Sequence, residues 1–194
     1  DQYLRISQEQ LQRLSGLVEQ ILSIGMERRK TFRLHPEEIN LKELITPLME
    51  QHQLKADKPV HIELDIKPET LVIVADRTHF SNIISNLIDN AVKYSKEEAE
   101  LSISCRQTGG TVTISVTDRG IGIPLDKQKH IFDKFYRVPT GNLHNIKGYG
   151  LGLFYRSEEH TSDLFYVKSM VEKHGGTITV KSEPDKGSTF TITL

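Results

Sequence analysis

Between Phe80 and Tyr94 the chain reads Phe-Ser-Asn-Ile-Ile-Ser-Asn-Leu-Ile-Asp-Asn-Ala-Val-Lys-Tyr. At about 100° per residue, Asn82, Asn86, Asp89, Asn90 and Lys93 fall within an arc of roughly 100°. Phe80, Ile83, Ile84, Leu87, Ile88 and Ala91 cover the opposite side. A side-chain amide oxygen is a hard, neutral ligand suited to magnesium, and a lysine one turn on meets a phosphate as a point charge. The row reads as a metal- and phosphate-facing surface backed by core. Taken alone, the helix reads equally well as an ordinary amphipathic element with a solvated polar face.

Three further stretches could do related chemistry. Asp118-Arg-Gly-Ile-Gly-Ile-Pro124 follows a strand pattern; its carboxylate could accept a hydrogen bond from an exocyclic amine such as that of adenine. Gly120 and Gly122 would let the chain turn and approach a ligand where a side chain would clash. Most Gly-x-Gly pairs are simply turns, so this element is weak alone. Gly148-Tyr-Gly-Leu-Gly-Leu153 opens the last long helix pattern, where unpaired backbone amides and the helix dipole favour a phosphate. It lacks the Lys-Ser/Thr ending of a P-loop and does not follow a strand, which excludes the two commonest nucleotide fingerprints. Between the glycine elements, Phe132 and Phe135 are spaced as core residues of a short helix, and Arg137 follows as a phosphate clamp.

The elements that must position these residues are legible as a mixture of helices and hairpin-linked strands. Apolar residues from Leu4 to Ile24 form the narrow stripe of one long N-terminal helix, of the kind used in a helical hairpin or dimer. Phe32-Arg33-Leu34 reads as a short strand. Asn40, with Glu43 three residues on, reads as the cap of a second helix that Pro47 interrupts. Strands are expected at 61–66, 71–74, 101–106, 111–117, 177–181 and 188–194. A helix is expected from Asp76 or Thr78 to about Tyr94, and another ending at His174 before Gly175-Gly176. The fold class is α+β: a two-layer α/β sandwich with a mixed, mostly antiparallel sheet, and not a doubly wound parallel one.

Composition sets the outer bounds. The 194 residues carry 25 Lys plus Arg against 26 Asp plus Glu, so no general basic field points to nucleic acid as a partner. One cysteine leaves no intramolecular disulfide and no Cys-rich zinc site. No apolar run approaches the roughly 20 residues that cross a bilayer, and no signal peptide opens the chain.

In this order and spacing, the motifs resemble those of the catalytic domain of sensor histidine kinases, within the GHKL (Bergerat-fold) ATPases. Asn86 to Tyr94 resembles the N box, Asp118-Arg-Gly-Ile-Gly122 the first glycine box, Phe132-Asp-Lys-Phe135 the F box, and Gly148 to Leu153 the second glycine box. Gly187-Ser-Thr-Phe190 resembles the final glycine-threonine turn. The resemblance implies that Asn90 binds magnesium, with Asn86 beside it, that Lys93 and Arg137 meet phosphates, and that Tyr94 lies beside the nucleotide. It implies that Asp118 takes the adenine amine and that Gly120, Gly122 and Ile123 line that pocket. Gly148, Gly150, Leu151, Gly152 and Leu153 would wrap the phosphates under a lid at about 132–147, and Thr189 would complete the ATP site. ATP and Mg2+ are the implied ligands.

The resemblance also divides the chain. Residues 1–31 would be the second helix of a dimerisation and phosphotransfer hairpin, and 32–194 the ATP-binding domain. The family's phosphoacceptor histidine precedes an acidic residue and a Thr-Pro or similar. His35, His52, His61, His79, His130, His144, His160 and His174 all stand in other contexts. The expected activity is therefore donation of the ATP γ-phosphate to a histidine not among these, for transfer to a response regulator. The parent protein is expected to be a homodimer, cytoplasmic in this part and tied to the membrane only through upstream segments. The alternative is a non-catalytic nucleotide-binding or response-regulator docking module.

One departure stands out. Leu153-Phe-Tyr155 recurs as Leu164-Phe-Tyr166, which marks an insertion of eleven residues, Arg156 to Tyr166. Its core, Arg-Ser-Glu-Glu-His-Thr-Ser-Asp-Leu, closely resembles the conceptual translation of a sequencing-library adapter, so an artefact of sequence assembly is expected. As continuous helix it would displace Gly150 to Gly152 by about 16 Å. A loop at Ser157–Ser162, with Asp163 recapping the helix, would hold the rest in place more easily.

Overall fold

The computed structural model describes residues 33–133, 136 and 161–194, with the backbone alone at 161–163. The expected N-terminal helix, Phe135, Arg137 and Gly148 to Leu153 lie outside the described residues. The chain divides after Leu34, and all the described secondary structure belongs to the unit His35–Leu194.

Strand β1 (Pro36–Asn40) leads into helix α1 (Leu41–Lys55). Strands β2 (Val60–Lys67) and β3 (Val72–Asp76), helix α2 (Arg77–Tyr94) and strands β4 (Ala99–Thr108) and β5 (Thr111–Asp118) come next. A single-turn helix α3 (Leu125–Gln128), helix α4 (Thr161–Lys173) and strands β6 (Thr177–Glu183) and β7 (Gly187–Thr193) complete the chain. Five strands form one sheet in the order β2-β4-β5-β7-β6; β2 runs parallel to β4 and every other pair is antiparallel. Strands β1 and β3 pair antiparallel as a separate ribbon.

Strand alternation puts the core on one face of the large sheet. Ala99, Leu101, Ile103 and Cys105 of β4, Val112, Ile114 and Val116 of β5, and Phe190 and Ile192 of β7 are buried. Helix α2 packs on β4 and β5 and has α1 and α4 beside it. Its Phe80, Ile83, Ile84, Leu87 and Ile88 are sealed from solvent, as the helical period requires. The sandwich is thus two-layered and its sheet mixed but mostly antiparallel, as expected.

Local chemistry fixes the ends of the helices that matter. Asn40 caps α1 by accepting from the amides of Lys42 and Glu43. Helix α1 continues through Pro47, because burial of Leu41, Leu44 and Ile45 offsets an interior proline's cost of about 3 kcal/mol. Asp76 caps α2 through His79 N and also accepts from His35 N at 2.9 Å. At the other end of α2, the Lys58 ammonium donates to the carbonyls of Ser95 and Lys96, a cation where the helix dipole favours one. Helix α4 ends with Gly175 at φ +78°, and Gly176 N bonds back to Val171 O.

Two expectations are corrected. The first described strand is Pro36–Asn40, and Arg33 and Leu34 of the expected triplet lie outside it, because Ile39 is the residue that finds a buried partner position, opposite Ile73. Helix α4 is already formed at Thr161, so Asp163 lies in its first turn and does not recap it. Among the described residues no helix is long and apolar enough to cross a membrane.

Candidate functional site

The polar face of α2 is not uniform. Asn82, Asp89 and Lys93 are exposed and Asn86 is half-buried, whereas Asn90 is only 6% exposed. Its Nδ2 is sealed from solvent and has no hydrogen-bond partner among the described residues. An amide donor buried without an acceptor costs roughly 1–3 kcal/mol, so such a group points to something that binds there. Helix α1 sets the rotation that turns Asn90 inward. Its buried His52 contacts Asp89 through Nδ1 (2.9 Å) and Ser85 through Nε2 (2.8 Å), gripping two residues one turn apart on α2.

Asp118, at the end of β5, is equally buried, but its carboxylate is held. Oδ1 accepts from Gly120 N at 2.7 Å and from Ser188 N at 3.3 Å, while no described donor reaches Oδ2. Burial pushes its carboxyl above the ordinary value, and the two amides only partly counter it. The loop after Asp118 joins the helix carrying Asn90: Ile121 N donates to Tyr94 O at 3.0 Å, one turn beyond Asn90.

The glycines of this loop lie tight against protein backbone. A Cβ on Gly120 would stand 2.6 Å from Tyr94 O, and one on Gly122, at φ +68°, would stand 2.0 Å from Glu183 O. The close approach is to protein backbone, from α2 on one side and the β6–β7 turn on the other. Gly187 completes the arrangement, since its Cβ would meet Asp118 O at 2.0 Å. Ile123 is also engaged through its backbone, donating to Ser182 Oγ at 2.7 Å.

Thr189 does not join this group. It is paired with Thr117 in the ladder, and the two hydroxyls lie 3.0 Å apart on the face opposite Asp118. Its neighbour Ser188 is the residue that faces Asp118. Sequence reading missed Ser188, Ser182 and Gln128, the last of which donates to the carbonyls of Ile123 and Ser182. The Gly-Ser-Thr-Phe turn is the available signal; one residue of register separates the residue on the Asp118 face, Ser188, from the one on the opposite face, Thr189. Lys93 Nζ lies 5.2 Å from the Tyr94 ring centroid on the exposed end of α2. Phe132 packs edge-on to Phe190 with centroids 6.4 Å apart, in a core role.

The profile of histidine kinase-, DNA gyrase B-, and HSP90-like ATPases matches residues 75–194. The chain belongs to this ATPase family. Its curated relatives are named as sensor proteins and histidine kinases. Sensor protein RprX of Bacteroides fragilis is 40% identical over 189 residues, covering 96% of this chain and 34% of that protein. Signal transduction histidine-protein kinase ArlS of Staphylococcus haemolyticus is 34% identical over 193 residues, covering 99% of this chain and 40% of that protein. The chain thus spans about a third to two-fifths of these relatives. In fold it is similar to histidine kinase ThkA, solved in complex with response regulator protein TrrA. That likeness has a TM-score of 0.67 at 24% identity, over 100% of this chain and 50% of that one.

The residues present fit a nucleotide with a hard cation. Asp118 Oδ2 is an open acceptor at the end of a buried strand, and Asn90 brings a buried neutral carboxamide. Among the described residues no three His, Cys, Asp or Glu side chains cluster as a metal cage. A magnesium ion would take one protein oxygen here and fill its octahedron from phosphates and water, which is its usual habit.

Proposed function

We propose that 32–194 is the ATP- and magnesium-binding catalytic domain of a two-component sensor histidine kinase. In this reading Asp118 Oδ2 accepts from the adenine amine, and the loop of Gly120, Gly122 and Ile123 shapes that end of the pocket. Asn90 Oδ1 holds magnesium with Asn86 alongside, Lys93 and Arg137 meet phosphate oxygens, and Tyr94 flanks the nucleotide. Gly148, Gly150, Leu151, Gly152 and Leu153 supply backbone amides to the phosphates. When bound, magnesium supplies charge neutralisation at the phosphates. The side chains orient the γ-phosphoryl group and exclude water, which is most of what phosphoryl transfer asks of a protein.

Residues 1–31 form the second helix of a dimerisation and phosphotransfer hairpin in this proposal. The acceptor histidine is supplied by another helix, because none of the eight present has the family's acceptor context. The parent protein is a homodimer whose catalytic part lies in the cytoplasm, and its phosphoryl group passes to a response-regulator aspartate. Relatives named as sensor kinases and the ThkA complex support that partner.

The observation that carries this reading is the buried carboxamide of Asn90, whose Nδ2 has no partner among the described residues, on a helix hydrogen-bonded to the loop of Asp118. The test is titration of a fluorescent ATP analogue, with and without magnesium, into the 194-residue chain and into a chain lacking 156–166. Saturable, magnesium-strengthened binding is expected, tighter in the shortened chain, where the second glycine box runs straight into the helix sequence that follows Tyr166. With an acceptor hairpin added in trans, label from γ-labelled ATP should appear on its histidine. Absence of nucleotide binding by both chains would overturn the proposal.

A further inference from the structure

The Ser182 hydroxyl has one proton and two lone pairs, and all three are used. It donates to Gly187 O at 2.8 Å, accepts from Ile123 N at 2.7 Å, and lies 2.9 Å from Ser188 Oγ. It thereby joins the loop that follows Asp118 to the turn that opens β7. Gln128 doubles the tie by donating to Ile123 O and Ser182 O, and Asp185 N reaches across to Ile121 O at 2.8 Å. The downstream result is the placing of Ser188 N against Asp118 Oδ1 at 3.3 Å, already the long end of a hydrogen bond. With Gly120 N and Ser188 N both on Oδ1, the carboxylate plane is fixed and Oδ2 is left as the acceptor.

We propose that Ser182 is a positioning residue for purine selectivity: it holds the loop and turn in the register that presents Asp118 Oδ2 to the 6-amino group of an adenine nucleotide. The proposal rests on the assignment of Asp118 to the adenine amine. Without the hydroxyl, Ile123 N and Gly187 O both lose their partner, the turn shifts, and Ser188 N leaves Oδ1. The carboxylate then rotates, and what is lost is the amine contact. Contacts to ribose and phosphates arise elsewhere in the site and are retained.

The experiment compares dissociation constants of MgATP and of magnesium purine riboside triphosphate, which lacks only the 6-amino group, for the full chain and its variants. Wild type should prefer ATP. In Ser182→Ala the ATP constant should rise about tenfold while that of the desamino nucleotide stays within about twofold, so the preference collapses. Ser182→Thr keeps a hydroxyl and should keep the preference. Gln128→Ala leaves the hydroxyl in place and should lower the preference by about two- to threefold; it carries the test if Ser182→Ala does not fold.

Equal weakening of both nucleotides, or an unchanged preference in Ser182→Ala and Gln128→Ala, would overturn the positioning role. Asp118→Asn tests the underlying reading separately: a preference that survives it means Asp118 does not read the amine, whatever Ser182 does. Failure of the wild-type chain to bind either nucleotide would overturn the proposal together with the function on which it rests.

Discussion

Asp118 and Asn90 are each 6% exposed, yet the fold treats them in opposite ways. Around Asp118 the protein has spent backbone and side-chain donors freely: two amides on one oxygen, three glycines at near-contact with the backbone of neighbouring segments, and a serine saturated on three sides. Around Asn90 it supplies packing and a rotational grip through His52, but no partner for Nδ2 among the described residues. Recognition of a flat purine edge needs an acceptor whose direction is fixed before the ligand arrives. Under the proposed function, binding of a magnesium triphosphate needs a group left unsatisfied until then, and the Asn90 N–H is one that a phosphate oxygen can take. One end of the site is finished in the free protein and the other is not.

The finished end is the more fragile, and Gly122→Ala is the sharpest way to break it. The new methyl would combine a left-handed φ of +68° with a 2.0 Å approach to Glu183 O, and backbone on both sides has little room to move. A loss of about 3 kcal/mol or more in urea unfolding is expected, with nucleotide binding lost alongside. Gly110→Ala is the control; its Cβ would meet nothing within 4 Å, and its stability should stay within about 0.5 kcal/mol of wild type. Equal, small effects at both positions would mean that the loop and turn are not locked together.

At the unfinished end the expectation inverts. Asn90→Leu keeps the heavy-atom count and branch point and removes a buried donor that has no described partner, so the melting temperature should hold or rise. Affinity for MgATP should fall about a hundredfold, or ~2.7 kcal/mol, and the gain from added magnesium should vanish. A variant that loses stability and binding together would show that Asn90 is a structural polar residue. This is the measurement that separates a waiting ligand group from a core defect.

The two ends were also unequally legible in the sequence. Helix α2 announced itself through an apolar face and a polar arc, and that periodicity placed Asn86, Asn90 and Lys93 on one side without any knowledge of the sheet. Alternation likewise gave β2, β4, β5 and the final hairpin within a few residues. What failed was long-range. β1 has no alternation of its own and exists because β3 pairs with it, so Pro36–Asn40 was missed in favour of a more apolar triplet nearby. Ser182 and Ser188 look like ordinary turn residues until the hairpin folds back on the Asp118 loop, and strand register decides which of the adjacent Ser188 and Thr189 lies on the Asp118 face. The helix could be read from local period; the clasp required knowing which segments meet.

Asp118→Asn gives the smallest effect and the most specific one. Burial raises the Asp118 carboxyl above its ordinary 3.8, so the folded chain holds that proton more tightly than the unfolded chain does. Below the unfolded value both states are protonated and the group contributes nothing. As pH climbs from there through the raised folded value, stability is lost, and above it the full penalty of a desolvated carboxylate remains. Asparagine keeps an oxygen for Gly120 N and Ser188 N and carries no charge. The variant should therefore melt alongside wild type at the acid end of the window and at a higher temperature at pH 7, while its preference for the 6-amino purine disappears. Thermal melts from pH 4 to 7 measure the first and paired nucleotide titrations the second. A melting temperature at pH 7 below that of wild type would show that the ionised carboxylate stabilises the fold, and the contrast between a group held at a cost for recognition and a group left open for a cation would then fail at the aspartate.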